Sequence, residues 1–283
     1  MEKLAVYSQT SSGGAFVAAK LHAQALGDTF EVKFIHPKVI TVAEFGLISL
    51  IFHFERYFVA KFNSIFRFMF YRSEYGGSFS YVFWRSVGLY LILKRIDVRI
   101  VNLHWQGAGF FGFICSNRFK IIQTLHDEYV LTGGCHYMLG CRQHDTCMDC
   151  PQTRSTFGKA LVQWRRNRVS ARLTGVNLHV LSNWLERKSN LVRPKQFTFK
   201  IPNPVSQYTE ILEKKNIDFL VIFSSAEPRK GVNWLNEVLR NVELNSLVKI
   251  GPGTQLSSDG LGPLSHESTL DYIAKARYII FPS

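Results

Sequence analysis

Short apolar runs alternating with longer amphipathic stretches set the pattern of this chain. Residues 3–7 (KLAVY), 31–35 (EVKFI), 98–103 (VRIVNL), 176–181 (VNLHVL) and the run holding Ile121, Ile122 and Leu125 have the length and apolar character of buried parallel strands. Helix-length segments lie between them: an Ala-rich one opened by Gly13 and Gly14 and running to about Leu26, another over 79–94, and a short one expected over 107–114. Residues 155–173 read as a basic amphipathic helix with Lys159, Arg165, Arg166, Arg168 and Arg172 on one flank. Strand alternating with helix predicts an α/β fold built on parallel sheets.

A proline-containing passage, FKIPNP over 199–204, marks a boundary. After it the pattern restarts: a continuous apolar run at 219–223, a strand at 246–250 with the turn Gly251-Pro252-Gly253, a helix over 267–276 and a strand over 278–281. The expected organisation is a first domain over 1–204 and a smaller second one over 205–283, with an exposed sheet edge and a small core.

One segment departs from this rhythm. Over residues 45–72, Phe52, Phe54, Phe58, Phe62, Phe66, Phe68 and Phe70 are interleaved with Arg56, Lys61, Arg67 and Arg72. The apolar positions outnumber those of one core-facing stripe, which points to a helix lying in the headgroup region of an anionic bilayer; a core helix packed on the sheet is the other reading. The run 45–54 is too short to span a bilayer.

Composition narrows the partners. In 283 residues, 46% hydrophobic, the formal charge is +13, which calls for an acidic partner: nucleic acid, an anionic lipid surface or a phosphate-bearing substrate. No nucleic-acid-binding motif is present, and the basic residues alternate with buried-type strands, so nucleic acid is not expected as a partner. The N-terminal residues MEKLAVYSQTSS carry no apolar core of a signal peptide, so the expectation is a cytoplasmic protein, peripheral on the inner face of the plasma membrane.

Candidate chemistry gathers at 124–151, TLHDEYVLTGGCHYMLGCRQHDTCMDCP. His126, Asp127 and Glu128 follow a strand, where side chains of an open α/β sheet face a ligand crevice; a capped turn with Asp127 opening a short helix is the alternative. His104 and Trp105 end another strand in the same way. Cys135, Cys141, Cys147 and Cys150, at spacings of five, five and two, share the window with His136 and His144. Four thiols can supply a tetrahedral structural zinc; free or redox-variable thiols, disulfides and small buried hydrophobes remain open beside it. Gly13 and Gly14, between strand and helix, allow backbone amides to approach an anion or make a plain turn. Arg229 and Lys230, next to a helix start, form a compact cationic site for a diphosphate or a surface turn.

The segment TLHDEYVLTGGCHY, followed by GC and CMDCP, resembles the signature of family 4 retaining glycosyltransferases, in particular those building colanic-acid-like exopolysaccharides, capsules and O-antigens. GGAFVAAKLHAQAL, VNLHWQGAGF and LSNWLERK are similar to the family as well. The resemblance implies two Rossmann-like domains in the GT-B arrangement, the second incomplete. It implies transfer of a hexose from a nucleotide-diphosphate sugar to a lipid-linked oligosaccharide acceptor, with no cofactor required for catalysis. His126 would contact the sugar, Gly13 and Gly14 would face the interdomain cleft, and Arg229 and Lys230 would hold the pyrophosphate. In the family a Pro-Ser like Pro282-Ser283 is followed by a pair of glutamates that contact donor sugar and ribose. Their absence sets the expectation of a truncated enzyme with reduced or no activity, or of an inactive remnant that binds only membrane or acceptor.

Overall fold

The computed structural model describes residues 1–72, 79–82, 84–105, 110–113, 118–137, 141, 143, 145–192, 198–205, 215–223, 230–239 and 246–281. The chain divides into two compact units, Met1–Ser206 and Gln207–Ser283. In the first, β1 (Lys3–Tyr7), α1 (Gly14–Ala25), β2 (Glu31–Ile35), α2 (Val42–Phe45) and α3 (Leu47–Phe70) are followed by β3 (Trp84–Ser86), α4 (Val87–Arg95), β4 (Ile100–Leu103) and β5 (Phe110–Phe113). Then come β6 (Lys120–Leu125), α5 (Thr156–Asn167), α6 (Val169–Arg172), β7 (Val176–Val180), α7 (Asn183–Val192) and β8 (Thr198–Lys200). The second unit holds β9 (Ile217–Ile222), α8 (Val232–Leu239), β10 (Leu247–Ile250), α9 (His266–Lys275) and β11 (Ala276–Ile280).

Six parallel strands form the first sheet in the order β2-β1-β4-β6-β7-β8. Both faces of β1 are buried: Leu4 and Val6 pack on Ala19 and Ala23 of α1, while Ala5 and Tyr7 join Phe52 of α3 and Leu89, Ile92 and Leu93 of α4 in the main core. That two-sided burial is why the strands read as unbroken apolar runs. The chain winds from β1 out to β2, then back past β1 to β4 and onward, so the order reverses between β1 and β4. Ligand crevices of open α/β sheets lie at such a reversal, outside the carboxyl ends of the strands. The second unit has a three-stranded parallel sheet, β10-β9-β11. The protein is thus α/β with parallel sheets, compatible with Rossmann-like folds.

Local expectations fail where distant groups occupy backbone donors. Residues 79–94 do not make one helix. The Ser80 N–H donates to Gly134 O (2.9 Å) and the Tyr81 N–H to Asn63 Oδ1 (2.6 Å), so α4 starts only at Val87. Its start is set by Ser86, whose Oγ accepts from Leu89 N, and by Glu55 of α3, whose carboxylate accepts from Ser86 Oγ (2.5 Å), Val87 N (2.9 Å), Gly88 N (3.0 Å) and Trp84 Nε1 (3.3 Å). Likewise, 110–113 (FFGF) is a strand paired with β3 rather than part of a helix, as its aromatic content favours. The basic helix divides at Arg168 into α5 and α6, and Arg165, expected on the solvated flank, is fully buried, its Nη1 donating to Ser80 O (2.5 Å).

In α3 the polar side chains Ser49, Glu55 and Asn63 are buried along with Phe52 and Val59. Leu47, Leu50, Phe54, Tyr57, Ile65 and Phe68 are exposed, Phe68 by 82%. This helix thus buries polar side chains beside apolar ones and leaves a row of large apolar ones exposed, a departure from the usual amphipathic arrangement.

Candidate functional site

The loops after β1, β4 and β6 meet at the carboxyl edge of the first sheet. The Gln9 N–H donates to Trp105 O (3.0 Å), Arg56 Nη2 donates to Gln9 O (3.4 Å) and the Tyr7 hydroxyl donates to Gln9 Oε1. Arg56 is therefore engaged with the loop rather than held out as a surface cation. Gly13 is the residue before α1 with φ 87°, a conformation that favours glycine. No side chain caps this helix start, and a Cβ added at Gly13 or Gly14 would meet nothing within 4 Å, so the first-turn amides border open space.

His126, Asp127 and Glu128 divide their roles. The Asp127 carboxylate accepts from His136 Nδ1 (2.7 Å), Trp105 Nε1 (3.0 Å) and Tyr129 N (2.9 Å). Burial pushes its pKa up, but the three donors, His136 foremost, more than offset this and hold it below the usual carboxylate value. Glu128 accepts from Trp184 Nε1 (2.9 Å) at the start of α7. Both carboxylates are buried ties within the protein, contrary to the expectation that they face substrate. Asp127 Oδ1 thereby holds the first amide of the 3₁₀ turn Tyr129–Leu131, which Glu128 precedes. Ser80 Oγ lies 2.9 Å from His136 Nε2, so Ser80, His136 and Asp127 have the connectivity of a hydrolase triad. With Ser80 and His136 0% and 2% exposed, and His136 stacked 4.7 Å from Tyr129, the chain of bonds anchors the 124–137 loop.

His126 bonds inward through only one of its two ring nitrogens. Its Nε2 lies 2.9 Å from His104 Nδ1, while Nδ1 has no hydrogen-bond partner among the described residues and belongs to a partly exposed side chain. The His104 ring lies 5.0 Å from that of His22 on α1, which lies 5.1 Å from that of His179 on β7. His179 Nε2 donates to Ile201 O (2.8 Å), and its Nδ1 lies 3.0 Å from Thr124 Oγ1. All four imidazoles are held below the usual 6.5: desolvation is the leading cause in each, and neighbouring imidazoles add to it for His22, His104 and His126, the last brought to about 4. His22 and His179 also line an apolar pocket of about 430 Å³ with Asn102, Ile122 and Phe199. Sequence reasoning singled out His126 and remarked on His104. It missed His22 and His179, which no spacing connects to the others.

No disulfide links Cys135, Cys141, Cys147 and Cys150 to one another. Cys135, Cys147 and Cys150 are buried with Tyr71, Phe79, Tyr81 and Val162, and Cys141 is half-buried. Burial is the main cause that pushes the Cys147 thiol up to about 11 and those of Cys135 and Cys150 above the usual value. The Gly133 N–H donates to Cys147 Sγ (3.4 Å). Among the described residues no group of three or more His, Cys, Asp or Glu side chains could hold a metal ion; His144 lies outside them. A structural zinc on these thiols stands as a proposal, and metal analysis of protein purified without added zinc decides it.

In the second unit, Lys230 and Gly231 (φ 66°) lead into α8 after β9, the central strand, while Arg229 lies outside the described residues. The turn at the end of β10 requires glycine: Gly251 has φ 133°, and a Cβ there would sit 2.2 Å from Phe223 O. The chain matches no known protein family, no curated protein and no solved structure.

Proposed function

We propose that this protein is a GT-B-type retaining glycosyltransferase that moves a hexose from a nucleotide-diphosphate sugar to a lipid-linked glycan acceptor in surface polysaccharide biosynthesis. The observation that carries the reading is His126 at the carboxyl edge of the first sheet, with one ring nitrogen bonded inward and the other open, inside the very stretch that resembles the family's signature. Gly13 and Gly14 bring backbone amides to the same edge. In the second unit, Arg229 and Lys230 are the residues that by the resemblance hold the pyrophosphate. As the glycosidic bond breaks, charge builds on the leaving diphosphate, and these two cations with the start of α8 are the groups to meet it. Cationic side chains supply that charge in this reading, which asks for no metal at the phosphates.

Equilibrium dialysis of the chain against a panel of labelled nucleotide-diphosphate sugars tests this. One member is expected to bind, and Arg229→Ala and Lys230→Ala are each expected to weaken binding by about tenfold to a hundredfold, since a bond to a charged group is worth roughly 1.5–3 kcal/mol. Failure of every nucleotide sugar to bind overturns the proposal.

The acceptor's lipid points to the membrane surface, and α3 supplies a face for it. Among the described residues no helix is long and apolar enough to cross a membrane. The exposed row Leu47, Leu50, Phe54, Tyr57, Ile65 and Phe68 instead suits the acyl boundary, flanked by Lys61, Arg67 and Arg72. Phe70 touches Phe157 of α5 (5.5 Å), which extends the row to Phe157 and Trp164, both more than half exposed. We place the protein at the cytoplasmic, anionic face of the plasma membrane. In liposome sedimentation, replacing Lys61, Arg67 and Arg72 by Gln is expected to remove about 1 kcal/mol of attraction per charge, and added salt to weaken wild-type binding. Equal, salt-independent partitioning of both forms removes the electrostatic part of this reading.

A further inference from the structure

The edge of the first sheet holds a second histidine that the proposed reaction does not use. His104, at the end of β4, is 0% exposed, and its two ring nitrogens have opposite fates. Nδ1 lies 2.9 Å from His126 Nε2; Nε2 is buried without a hydrogen-bond partner. One proton must lie between the two rings, and its owner follows from which orphan is tolerable. If His104 carried its proton on Nε2, a buried N–H would be left without an acceptor. If it carries it on Nδ1, the orphan is a bare lone pair, and unsatisfied acceptors are better tolerated in protein interiors than unsatisfied donors. His104 Nδ1–H therefore donates to His126 Nε2. A neutral His126 accepting at Nε2 must bear its own proton on Nδ1, the nitrogen without a partner among the described residues on a partly exposed side chain.

We infer that His104 is a positioning residue that fixes His126 in the Nδ1–H tautomer, so that His126 meets its ligand as a neutral hydrogen-bond donor to an uncharged oxygen, such as a sugar hydroxyl, and not as a proton acceptor. This deepens the transferase reading and rests on it for the nature of the ligand, though not for the tautomer. The groups facing the pair are His22 from α1, His179 from β7 and the adjoining Asp127. Two of the three are imidazoles that oppose a positive charge on either ring, and desolvation acts in the same direction. A neutral donor suits a sugar contact, because a cation there would draw the nucleotide's phosphates into the place of the sugar.

Long-range ¹⁵N–¹H correlation spectra of the full chain labelled at histidine read the tautomer directly. Wild-type protein is expected to show His126 and His104 each as a single neutral Nδ1–H species between pH 8 and pH 5. His104→Asn, whose amide N–H falls near the position of Nδ1–H, is expected to preserve the His126 pattern. His104→Leu is expected to convert it to a mixture of tautomers that titrates closer to 6.5. A wild-type His126 protonated on Nε2, or a mixture of tautomers there, overturns the inference, and so does an identical His126 pattern in the Asn and Leu variants. Should His104→Leu not fold, the wild-type spectrum still decides. With a bound nucleotide sugar, His104→Leu is expected to weaken binding about tenfold and His104→Asn by less than threefold. If the tautomer holds and no nucleotide sugar binds, the transferase reading fails while the pair stands.

Discussion

Between pH 6.5 and pH 4 the first unit is expected to lose several kcal/mol of stability, more than a surface-dominated protein would in that range. The cause is the group His22, His104, His126 and His179, each held in the folded state below the usual 6.5. Below pH 6.5 the unfolded chain takes up protons on these residues and the folded one does not, so acid favours the unfolded state. For a depressed pKa the stabilisation is complete above the unfolded value and declines as pH falls toward the folded one. His126, with a folded value of about 4, alone accounts for about 3 kcal/mol at the bottom of the window. The other three act in the same direction, against a typical total of about 5–15 kcal/mol. Asp127, also depressed, adds its loss only below the usual carboxylate range. Urea unfolding at half-unit steps of pH is the measurement: stability should fall with a slope above one proton per molecule. His22→Leu should flatten the slope by up to one proton, about 1.4 kcal/mol per pH unit. A midpoint that does not move between pH 7 and pH 4.5 refutes this account of the cluster.

The second large effect is expected at the crossing of α3 and α4. Glu55 is 6% exposed and receives four donors, two of them backbone amides in the first turn of α4, where its negative charge also complements the helix dipole. Glu55→Ala takes the acceptor from the buried Gly88 amide, the part-buried Val87 amide and the buried Ser86 hydroxyl, at about 1–3 kcal/mol for each buried group, so a loss of roughly 3–5 kcal/mol is expected. Glu55→Gln keeps one acceptor oxygen and is expected to lose about half as much. At the same crossing, a Cβ on Gly88 would lie 2.6 Å from Phe52 Cα, an atom that no rotamer change can move. Gly88→Ala is therefore expected to cost about 3 kcal/mol, at the upper end for overpacking. Because both changes loosen one contact, the double variant should lose less than the sum. Thermal unfolding gives all four values, and a Glu55→Ala protein within 1 kcal/mol of wild type would show that water serves the amides as well.

The strands at 3–7, 31–35 and 176–180 were legible as apolar runs, because a parallel strand covered on both faces has no polar side to present. The helix opened by Gly13 and Gly14 and the long aromatic helix were legible from length and composition. The helix expected over 79–94 and the strand at 110–113 were not, since their states depend on pairing with groups remote in sequence. In the first of these, Asn63, Gly134 and Glu55 take the backbone donors of Tyr81, Ser80 and Gly88. At the site, His126 stood out by following an apolar run, but Asp127 and Glu128 looked equally available until the fold brought Trp105, His136 and Trp184 against them. His22 and His179 carried no signal at all. By itself the sequence determined the alternation of strand and helix, the positive charge and the position of His126, all of which rest on local pattern. Which carboxylates are consumed, where α4 begins and that four separated histidines share one desolvated cluster were decided by the tertiary structure, because hydrogen-bond partnership and burial belong to pairs of residues that only the packed chain brings together.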